Sequence, residues 1–593
     1  MTDHLNLRPH KVRREDRPDG SIWLTSGYDL SPVATTTNDW LARWATAAPD
    51  RVFLAERKGE GWQTLSYGEA LERARRIAAG FLDRGVRGPL LILSGNSIDH
   101  ALITLAAHYV GIVTVPVAEQ YSLIPAAHGR LKHVVELVRP DAVFADDAVA
   151  YSEALNLVGG FALCSTWGRS GAVPLSALTG DLARVEAANA MVGPETVAKF
   201  LMTSGSTSDP KAVETTQRMM TVNQAQIRDS LPFVAARPPV LVDWLPWNHV
   251  FGGSHNFNLV LANGGTLYID DGKPLPALFP RTVENLGLVS GTISFNVPVG
   301  FAQLIKALKG DTGLRDTYFR DLDMIFYAGA SLPQDTWSEL ERMALEVGGR
   351  IPLITSSWGL TETAPAALLQ HVPAKGAGIV GVPLPGVTLK LVDDGTGRMD
   401  VRVKGDTVFD AYHDNPGQTQ DAIDHEGFFV TGDAMRFVDP EDMTQGLRFD
   451  GRLSEDFKLS TGTWVRAANL RLEMLDALVG IAQDVVICGA GYDEVGILIV
   501  PGPDARDGTI QHGAICCNAA GEIRKRMERL AQTATGSANR VTRALVMAEP
   551  PDVGGGEVTA KGNLNFAKLL ARRADLVARL YDDTDPASIV ISK

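Results

Sequence analysis

The spacing of apolar residues along the chain predicts alternating helices and strands. Ser66 stands three residues before Glu69, a capping-box arrangement, and apolar side chains then recur at helical spacing up to residue 82. A short apolar run at 90–93, a second helical stretch that ends near Tyr109 and a β-branched run at 112–117 follow. A strand, a helix and a strand in this order predict a βαβ unit with parallel strands.

Strand-like runs of the same kind recur through the first 450 residues, at 142–144, 240–245, 266–269, 324–327 and 351–355. They predict an α/β region with mainly parallel sheets.

The pattern changes after Arg452. A helical segment near 470–478, strand-like runs at 485–488 and 496–500, a helix near 523–530 and a strand near 541–547 predict a compact α+β unit of about 140 residues. We therefore expect a large, multi-lobed N-terminal domain over residues 1–452 and a small C-terminal domain over residues 453–593.

Composition narrows the class of protein. The chain has 593 residues, 45% of them hydrophobic and 21% charged, with a net charge of −14. These values exclude a small disulfide-stapled scaffold and a disordered chain. The acidic balance argues against a nucleic-acid partner, because a phosphate backbone is held mainly by clustered Lys and Arg. The 4 cysteines show no CxxC spacing, which favours a reducing compartment over a zinc site.

No segment of the sequence predicts export or membrane insertion. The basic N-terminal residues are not followed by an apolar run, so we expect no secretory signal. The longest apolar stretch, 101–118, contains His108 and Tyr109, breaks at Pro116 and is short for a span of about 20 residues. We expect a cytoplasmic protein without a membrane partner.

The sharpest local signal is residues 201–211, which read LMTSGSTSDPK. Glycine and small hydroxyl residues allow successive N–H groups to face an anion, and a terminal lysine adds a charged donor. This predicts a polyphosphate-binding loop. The spacing differs from GxxxxGK[ST], which excludes a Walker A loop. A Ser/Thr-rich surface turn is the alternative for this segment taken alone.

Four further short segments accompany the loop: SWGLTET at 357–363, TGD at 431–433, GR at 451–452 and EVTAKGN at 557–563. None is specific alone. In this order, over nearly the whole chain, the five segments resemble the signatures of the adenylate-forming superfamily, which includes the acyl-CoA synthetases. The resemblance implies an adenylate-forming fold in which the small C-terminal domain is a mobile lid.

The resemblance implies roles for these residues. The nucleotide is held by Thr203, Ser204, Gly205, Ser206, Ser208, Lys211, Gly329, Ala330, Ser331, Ser357, Trp358, Gly359, Thr361, Asp433 and Arg452. Glu362 and Thr207 hold Mg²⁺, and Asp433 binds the ribose. The catalytic set is Lys561, Thr207, Glu362, His249 and Lys458.

Several positions depart from the family pattern. Trp358 stands where the family has tyrosine, and Ser208 where it has glycine. Asn563 occupies the place of the catalytic lysine, so we assign that role to Lys561. The hinge position is Ser454, which leaves Ser454, Glu455 and Asp456 as candidate hinge residues.

The acid-binding segments are more specific. Residues 243–253 (DWLPWNHVFGG), 256–258 and 264–274 resemble feruloyl-CoA synthetases in particular. This implies an acyl pocket formed by His249, Phe251, Gly253, Asn296, Ala328 and Gly329, although His249 alone also fits a structural histidine. By the same resemblance, Ser460, Thr461 and Gly462 border the coenzyme A path, close to Lys458.

The implied activity is an ATP-dependent ligation of ferulate and related hydroxycinnamates to coenzyme A through an acyl-adenylate. ATP, Mg²⁺, coenzyme A and the acid are then the small-molecule partners of a monomer or homodimer. Three alternatives stay open: a ligase for other aryl or medium-chain acids, an adenylating module that loads a carrier protein, and a non-catalytic nucleotide-binding protein.

Overall fold

The computed structural model describes residues 5–165, 171–203, 210–329, 332–374, 376–395, 397–534, 536–552, 555–558 and 564–591. The strands of this part are β1 Val12–Asp16, β2 Ile22–Ser26, β3 Val52–Lys58, β4 Gly61–Ser66, β5 Leu90–Ile92, β6 Thr114–Pro116, β7 Ala142–Ala145, β8 Phe161–Cys164, β9 Val173–Pro174, β10 Val197–Thr203, β11 Lys211–Thr216, β12 Val240–Asp243, β13 Thr266–Ile269, β14 Ile293–Asn296, β15 Met324–Tyr327, β16 Leu353–Gly359, β17 Ala366–Leu369, β18 Ile379–Pro383, β19 Thr388–Asp393, β20 Met399–Lys404, β21 Phe429–Phe437, β22 Leu447–Arg452, β23 Phe457–Lys458, β24 Trp464–Val465, β25 Ala482–Cys488, β26 Val495–Pro501, β27 Gly508–Gln511, β28 Ala514–Cys517, β29 Val541–Met547 and β30 Ile589–Val590.

The α-helices are α1 Thr37–Ala47, α2 Tyr67–Asp83, α3 Ile98–Tyr109, α4 Glu119–Leu123, α5 His128–Val138, α6 Ser152–Val158, α7 Leu182–Asn189, α8 Gln217–Ser230, α9 Phe233–Ala236, α10 Phe257–Asn263, α11 Phe279–Leu288, α12 Pro298–Gly310, α13 Thr312–Arg320, α14 Gln334–Gly348, α15 Pro416–Ala422, α16 Ala467–Ala477, α17 Ala520–Thr533, α18 Phe566–Arg572 and α19 Ala574–Leu580. None of these is both long and apolar enough to cross a membrane.

The predicted βαβ organisation is present. Helix α2 begins at Ser66, whose hydroxyl accepts from the Glu69 amide while the Glu69 carboxylate accepts from the Ser66 amide, as the capping box predicts. β5, α3 and β6 form the first βαβ unit, with parallel strand pairing. They belong to a 7-stranded sheet of order β11-β10-β6-β5-β7-β8-β9. A 4-stranded sheet of order β12-β13-β3-β4 lies beside it.

The largest sheet is mixed. Its 11 strands run in the order β1-β2-β19-β20-β21-β22-β18-β17-β16-β15-β14. β14, β15 and β16 are parallel, as the apolar runs predict, whereas the strands from β17 to β22 pair antiparallel. β19 and β20 are joined by a short turn, in which Gly395 has φ at +85°. The sequence interpretation did not detect this antiparallel half.

The C-terminal residues form a separate sheet with its own core. β25 to β30 make a 6-stranded sheet, and the segments predicted as strands at 485–488, 496–500 and 541–547 lie in β25, β26 and β29. The two hydrophobic clusters of this region draw their buried members from residues 459–591. The boundary between residues 452 and 453 stays a prediction.

A buried ion cluster joins β20 to the segment after β22. The Arg398 guanidinium donates to the Asp450 carbonyl at 2.8 Å, lies 3.2 Å from the Asp450 carboxylate and donates to the Asp456 carboxylate. Asp450 also accepts from Arg436 at 2.9 Å and from Asn469 at 2.7 Å. The side chains of Arg398, Asp450 and Asp456 are 4–6% exposed. Removing Arg398 therefore leaves the buried Asp456 carboxylate without its ion-pair partner, whereas Asp450 keeps Arg436.

We expect Arg398→Met to lower the free energy of unfolding by about 3–5 kcal/mol, because it leaves Asp456 buried without its cation. Thermal unfolding at pH 7 measures the change. Arg342→Met is the control, since Arg342 pairs with Glu339 and Glu346 at a side-chain exposure of 47% and such pairs contribute less than about 1 kcal/mol. Equal losses in the two variants would contradict a dominant role for the buried cluster.

Candidate active site

Some of the predicted site residues lie outside the described part of the chain. They are Ser204, Gly205, Ser206, Thr207, Ser208, Ala330, Ser331, Lys561 and Asn563. Their assignments stay predictions.

The two ends of the predicted phosphate loop are neighbours. β10 and β11 form an antiparallel pair in which Thr203 is the register partner of Lys211. β10 and β11 are thus the two strands of a β-hairpin, the phosphate hairpin. The ends of the predicted loop are fixed because β10 and β11 belong to the 7-stranded sheet, whose neighbouring strands are buried.

Tyr412 joins this hairpin to Glu362. The Lys211 ammonium lies 4.6 Å from the centre of the Tyr412 ring, and the Tyr412 hydroxyl donates to Glu362 Oε1 at 2.9 Å. A β-bridge between Val213 and Tyr412 and a hydrogen bond from the Phe409 amide to the Glu362 carbonyl, at 2.9 Å, hold the segment in place. Burial and the neighbouring Glu362 carboxylate raise the pKa of Tyr412, so its hydroxyl stays protonated and donates.

Glu362 has the surroundings of a cation ligand. The residue is 8% exposed and, within the described residues, forms no ion pair with Lys, Arg or His. A buried carboxylate without a protein cation fits a hard divalent ion, and Mg²⁺ is commonly held by one or two carboxylates together with phosphate oxygens. The described residues contain no cluster of three or more His, Cys, Asp and Glu that would hold a metal without such phosphates.

Helix α5 connects the phosphate hairpin to the C-terminal region. His133 Nε2 lies 3.0 Å from the Pro210 carbonyl, at the end of the loop. One helical turn earlier, Arg130 is so close to Gly556 that a Cβ built on the glycine would be 2.0 Å from its guanidinium nitrogen. The segment that leads to residue 561 therefore approaches the same helix that supports the loop.

Trp358, Asp433 and Arg452 form a second cluster. Trp358, in β16, donates from its indole nitrogen to Asp433 Oδ2 at 2.8 Å. Arg452 is the register partner of Asp433 across β21 and β22, and its Nε lies 3.2 Å from Asp433 Oδ1. The aspartate side chain is 5% exposed and the arginine side chain 51%. An aspartate between an indole ring and a half-exposed guanidinium is suited to accept hydroxyl hydrogen bonds.

The turn after β16 requires its glycine. Ser357 and Gly359 pair with Leu369 and Ala366 of β17, and a Cβ at residue 359 would lie 1.7 Å from the Pro365 carbonyl oxygen. A single 3₁₀ turn, Thr361–Thr363, follows and buries Thr361 beside Glu362. Trp358 of one cluster and Glu362 of the other are thus held by the end of β16 and by the turn that follows it.

An aromatic cluster occupies the region of the predicted acyl pocket. Phe251, His255, Phe295 and Phe326 contact one another, with ring centroids 5.0 to 5.8 Å apart. Phe251 and His255 project from a π-helical turn, Phe251–Asn256, that precedes α10. Burial lowers the pKa of His255 to about 4, so its ring is neutral near pH 7.

The other predicted acyl residues surround this cluster. Asn296 ends β14 and accepts from the Trp244 indole nitrogen at 3.2 Å, and its carbonyl accepts from the Ala328 amide at 3.3 Å. Gly329 follows with φ at +86°. His249 Nδ1 accepts from the Phe251 amide at 3.2 Å, and Gly253 lies within the π-helical turn.

The predicted coenzyme A residues lie in an exposed hairpin. β23 ends at Lys458, whose ammonium lies 5.0 Å from the centre of the Trp464 ring. Ser460, Thr461 and Gly462 form the exposed turn before β24; the Ser460 hydroxyl donates to Asp493, and Gly462 has φ at +84°. Among the described contacts, none joins this turn to the two clusters.

Two site residues were missed by the sequence analysis. Tyr412 lies 50 positions from Glu362 and carries no local motif. His255 lies between the segments 243–253 and 256–258, near the start of a helical stretch. That position does not distinguish a pocket residue from a core residue. Both depend on long-range packing.

Residues 41–413 match the family described as AMP-binding enzyme. Three relatives with a described function are similar to the chain. "Probable acyl-activating enzyme 16, chloroplastic" of Arabidopsis thaliana is 26% identical over 43% of this chain, but only 37% of that relative is covered. "Long-chain-fatty-acid--CoA ligase FadD15" of Mycobacterium bovis and "4-coumarate--CoA ligase 5" of Oryza sativa are each 26% identical, over 80% and 78% of this chain and 83% of each relative.

Solved structures share the fold. ATP-bound MatB from Rhodopseudomonas palustris aligns with a TM-score of 0.67 at 21% identity, over 91% of this chain and 100% of that chain. The A domain of carboxylic acid reductase from Segniliparus rugosus, in complex with AMP and a carboxylic acid, aligns with a TM-score of 0.71 at 18% identity, over 92% and 94%. The predicted fold class is thereby confirmed.

We expect Gly359→Ala to lower the free energy of unfolding by about 1–3 kcal/mol, because the new methyl group overlaps the Pro365 carbonyl. Thermal unfolding measures this, and the near-UV circular dichroism of Trp358 reports the local change. Gly129→Ala is the control, since a Cβ there meets nothing within 4 Å. A Gly359→Ala protein as stable as this control would contradict the described turn.

Proposed function

The chain belongs to the AMP-binding enzyme family, and we propose that it is an ATP-dependent ligase that joins carboxylic acids to coenzyme A through an acyl-adenylate, with ferulate and related hydroxycinnamates as its acids. The observation that carries the proposal is that Trp358, in β16, and Glu362, four residues later, each belong to a cluster of polar side chains. Lys211, Tyr412 and Glu362 form one, and Trp358 with Asp433 forms the other.

The second cluster is the proposed nucleoside site. Asp433 accepts the ribose hydroxyls, and the Trp358 ring lies beside the adenine, with the half-exposed Arg452 next to the ribose. The supporting observation is that the buried Asp433 carboxylate is held between an indole N–H and a guanidinium, which fixes its orientation. Ser357, Gly359, Thr361 and the segment 329–331 complete this side by resemblance.

The first cluster is the proposed phosphate site. The loop 204–209 and Lys211 bind the β- and γ-phosphates, and Glu362 with Thr207 holds Mg²⁺. When bound, Mg²⁺ neutralises phosphate charge. The Tyr412 hydroxyl orients the Glu362 carboxylate by donating to one of its oxygens, which leaves the other free to face the nucleotide.

In the first half-reaction, a carboxylate oxygen of the acid attacks the α-phosphorus of ATP; the bond to the bridging oxygen breaks, and pyrophosphate leaves. No protein nucleophile is required, so the residues act by positioning and by charge. We assign Lys561 to the carboxylate and the α-phosphate. The approach of Gly556 to Arg130, beside the helix that supports Pro210, favours this assignment.

In the second half-reaction, the coenzyme A thiol attacks the activated carbonyl, and AMP leaves with the oxygen that joined the acid to phosphorus. Lys458 and the turn 460–462 are the proposed contacts. By resemblance to the family, the C-terminal domain rotates between the two half-reactions; the exposure of that turn and the closeness of Gly556 to Arg130 support this proposal. Ser454, Glu455 and Asp456 are the candidate hinge positions.

The aromatic cluster supports an aryl acid. Phe251, Phe295 and Phe326 present flat apolar surfaces, and aromatic rings pack well edge to face on such surfaces. The similarity to a 4-coumarate–CoA ligase agrees with this choice. The similarity to a long-chain-fatty-acid–CoA ligase supports a medium-chain acid as the second candidate, and the similarity to a carboxylic acid reductase A domain supports an adenylating module for a carrier protein.

We expect acid-dependent exchange of pyrophosphate into ATP, with ferulate, coumarate and caffeate ahead of benzoate and octanoate. Glu362→Gln should reduce the exchange by at least about tenfold, because a charge-assisted contact contributes about 1.5–3 kcal/mol. Isotope exchange with a panel of acids measures both effects, and Gly129→Ala serves as the active control. Exchange without acid dependence would contradict adenylation, and octanoate as the best acid would overturn the aryl assignment.

We expect Lys561→Ala to abolish adenylate formation and to spare thioester formation from added acyl-adenylate, because the two half-reactions use different faces of the C-terminal domain. Single-turnover assays of each half measure the split. Lys458→Ala should show the opposite pattern. Equal loss of both half-reactions in Lys561→Ala would contradict its assignment.

A further inference from the structure

Side chains from two other elements hold the π-helical turn that carries Phe251 and His255. A π-helix is wider than an α-helix and is rare, and short π segments occur frequently at functional sites. Here the Phe257 amide donates to the Gly252 carbonyl, five residues back. The wide turn determines where the Phe251 and His255 rings point, since conversion to α-helical geometry would change the angle between successive residues.

Lys199 contacts this turn from the sheet. It is 4% exposed, and its ammonium donates to the Gly253 carbonyl at 2.6 Å. Lys199 lies in the otherwise apolar strand β10, where it is the parallel register partner of Thr114. Within the described residues it forms no ion pair with Asp or Glu, so the carbonyl is its one described acceptor.

Gln224 contacts the same turn from helix α8. The residue is 3% exposed, and its amide nitrogen lies 3.1 Å from the His255 carbonyl and 3.4 Å from the Ser254 carbonyl. Three successive carbonyls, those of residues 253–255, therefore receive side-chain donors from outside the helix. A carbonyl oxygen has two lone pairs, so these donors can add to helical hydrogen bonds.

We propose that Lys199 and Gln224 are positioning residues that clamp the carbonyls of residues 253–255, hold the turn in its π-helical form and thereby set the shape of the acyl pocket. This inference rests on the proposed function, because it concerns how the same site selects its acid. The class of acid it favours is a planar aryl acid, which fits against the Phe251 and Phe295 rings.

Burying the Lys199 ammonium costs free energy, which argues that this residue has a specific role. Desolvation lowers the pKa of Lys199 to about 8, so the group is still mostly protonated at pH 7. Two histidines of α3 lie near enough to be affected by that charge, and burial lowers the pKa of His100 to about 4 and of His108 to about 3. Both rings are therefore neutral, and no described carboxylate forms a salt bridge with the ammonium.

The clamp also joins the acyl site to the phosphate hairpin. Lys199 lies four positions before Thr203, at which β10 ends and the loop 204–209 begins. The strand that fixes the loop therefore also fixes the turn of the acyl pocket. The proposed ribose and adenine contacts belong to β16, β21 and β22 and do not involve the clamp, so we expect its loss to change the fit of the acid more than the fit of ATP.

The test compares Lys199→Met and Gln224→Leu with wild type. We expect Lys199→Met to raise the KM for ferulate about tenfold, because a charge-assisted hydrogen bond to the turn is lost, while the KM for ATP changes less than about twofold. The ratio of kcat/KM for ferulate to that for octanoate should fall. Gln224→Leu should also raise the KM for ferulate. The increase in the double variant should be smaller than the two single effects combined, because both residues hold one turn.

The matched control is Lys390→Met. Lys390 is a buried lysine far from the site that pairs with Asp424 and Glu426, so its loss lowers stability without affecting the clamp. We expect its KM for ferulate to equal that of wild type. If Lys199→Met leaves the KM for ferulate unchanged, or raises the KM for ATP equally, the clamp is overturned.

Hydrogen exchange separates failure of this inference from failure of the proposed function. Amides of residues 253–258 should exchange faster in Lys199→Met than in wild type and in Lys390→Met, whatever the activity. A wild-type enzyme without acid-dependent pyrophosphate exchange would overturn the proposed function alone. Unchanged exchange of these amides in Lys199→Met would overturn the clamp even in an active ligase.

Discussion

The hydrogen bond from Tyr412 to Glu362 is the contact on which the site depends. It fixes a buried carboxylate at the end of one sheet, and the same tyrosine ring lies against Lys211 of another sheet. A β-bridge between Val213 and Tyr412 and the hydrogen bond from the Phe409 amide to the Glu362 carbonyl also join these segments, but Tyr412 is the described side chain that contacts both Lys211 and the Glu362 carboxylate. The hairpin that carries the proposed phosphate loop and the carboxylate proposed for Mg²⁺ are thus oriented relative to each other through this side chain.

Around it, the site combines three kinds of constraint. The Pro365 carbonyl comes so close to residue 359, at the turn after β16, that this residue must be glycine. The charge of the buried Asp433 carboxylate requires Arg452 beside it. Side-chain donors to backbone carbonyls then shape the acyl side. The net charge of −14 does not exclude anionic ligands, because a binding site depends on the few charges close to it. In the proposed site these are Lys211, which is held by the sheet, and Arg452, which is held by a buried carboxylate.

Much of this architecture could be predicted from local sequence. The Ser66 capping box, the βαβ unit at 90–117 and the parallel strand at 324–327 carry their own periodicity, and the structure has each of them. The antiparallel half of the large sheet was not predicted, because the pairing of its strands depends on partners distant in the sequence. Tyr412 could not be predicted for the same reason. Lys199 could have been identified from the sequence, because it is the one charged residue within a mostly apolar strand.

The central claim is that the acid is activated as an adenylate. The most direct measurement is the fate of oxygen from ferulate labelled with ¹⁸O in its carboxylate. If a carboxylate oxygen attacks the α-phosphorus and the thiol then displaces AMP, one labelled oxygen must leave with AMP. Mass spectrometry of the products should therefore find one ¹⁸O in AMP and none in pyrophosphate. Label in inorganic phosphate, with ADP as the nucleotide product, would indicate an acyl phosphate and would contradict the account.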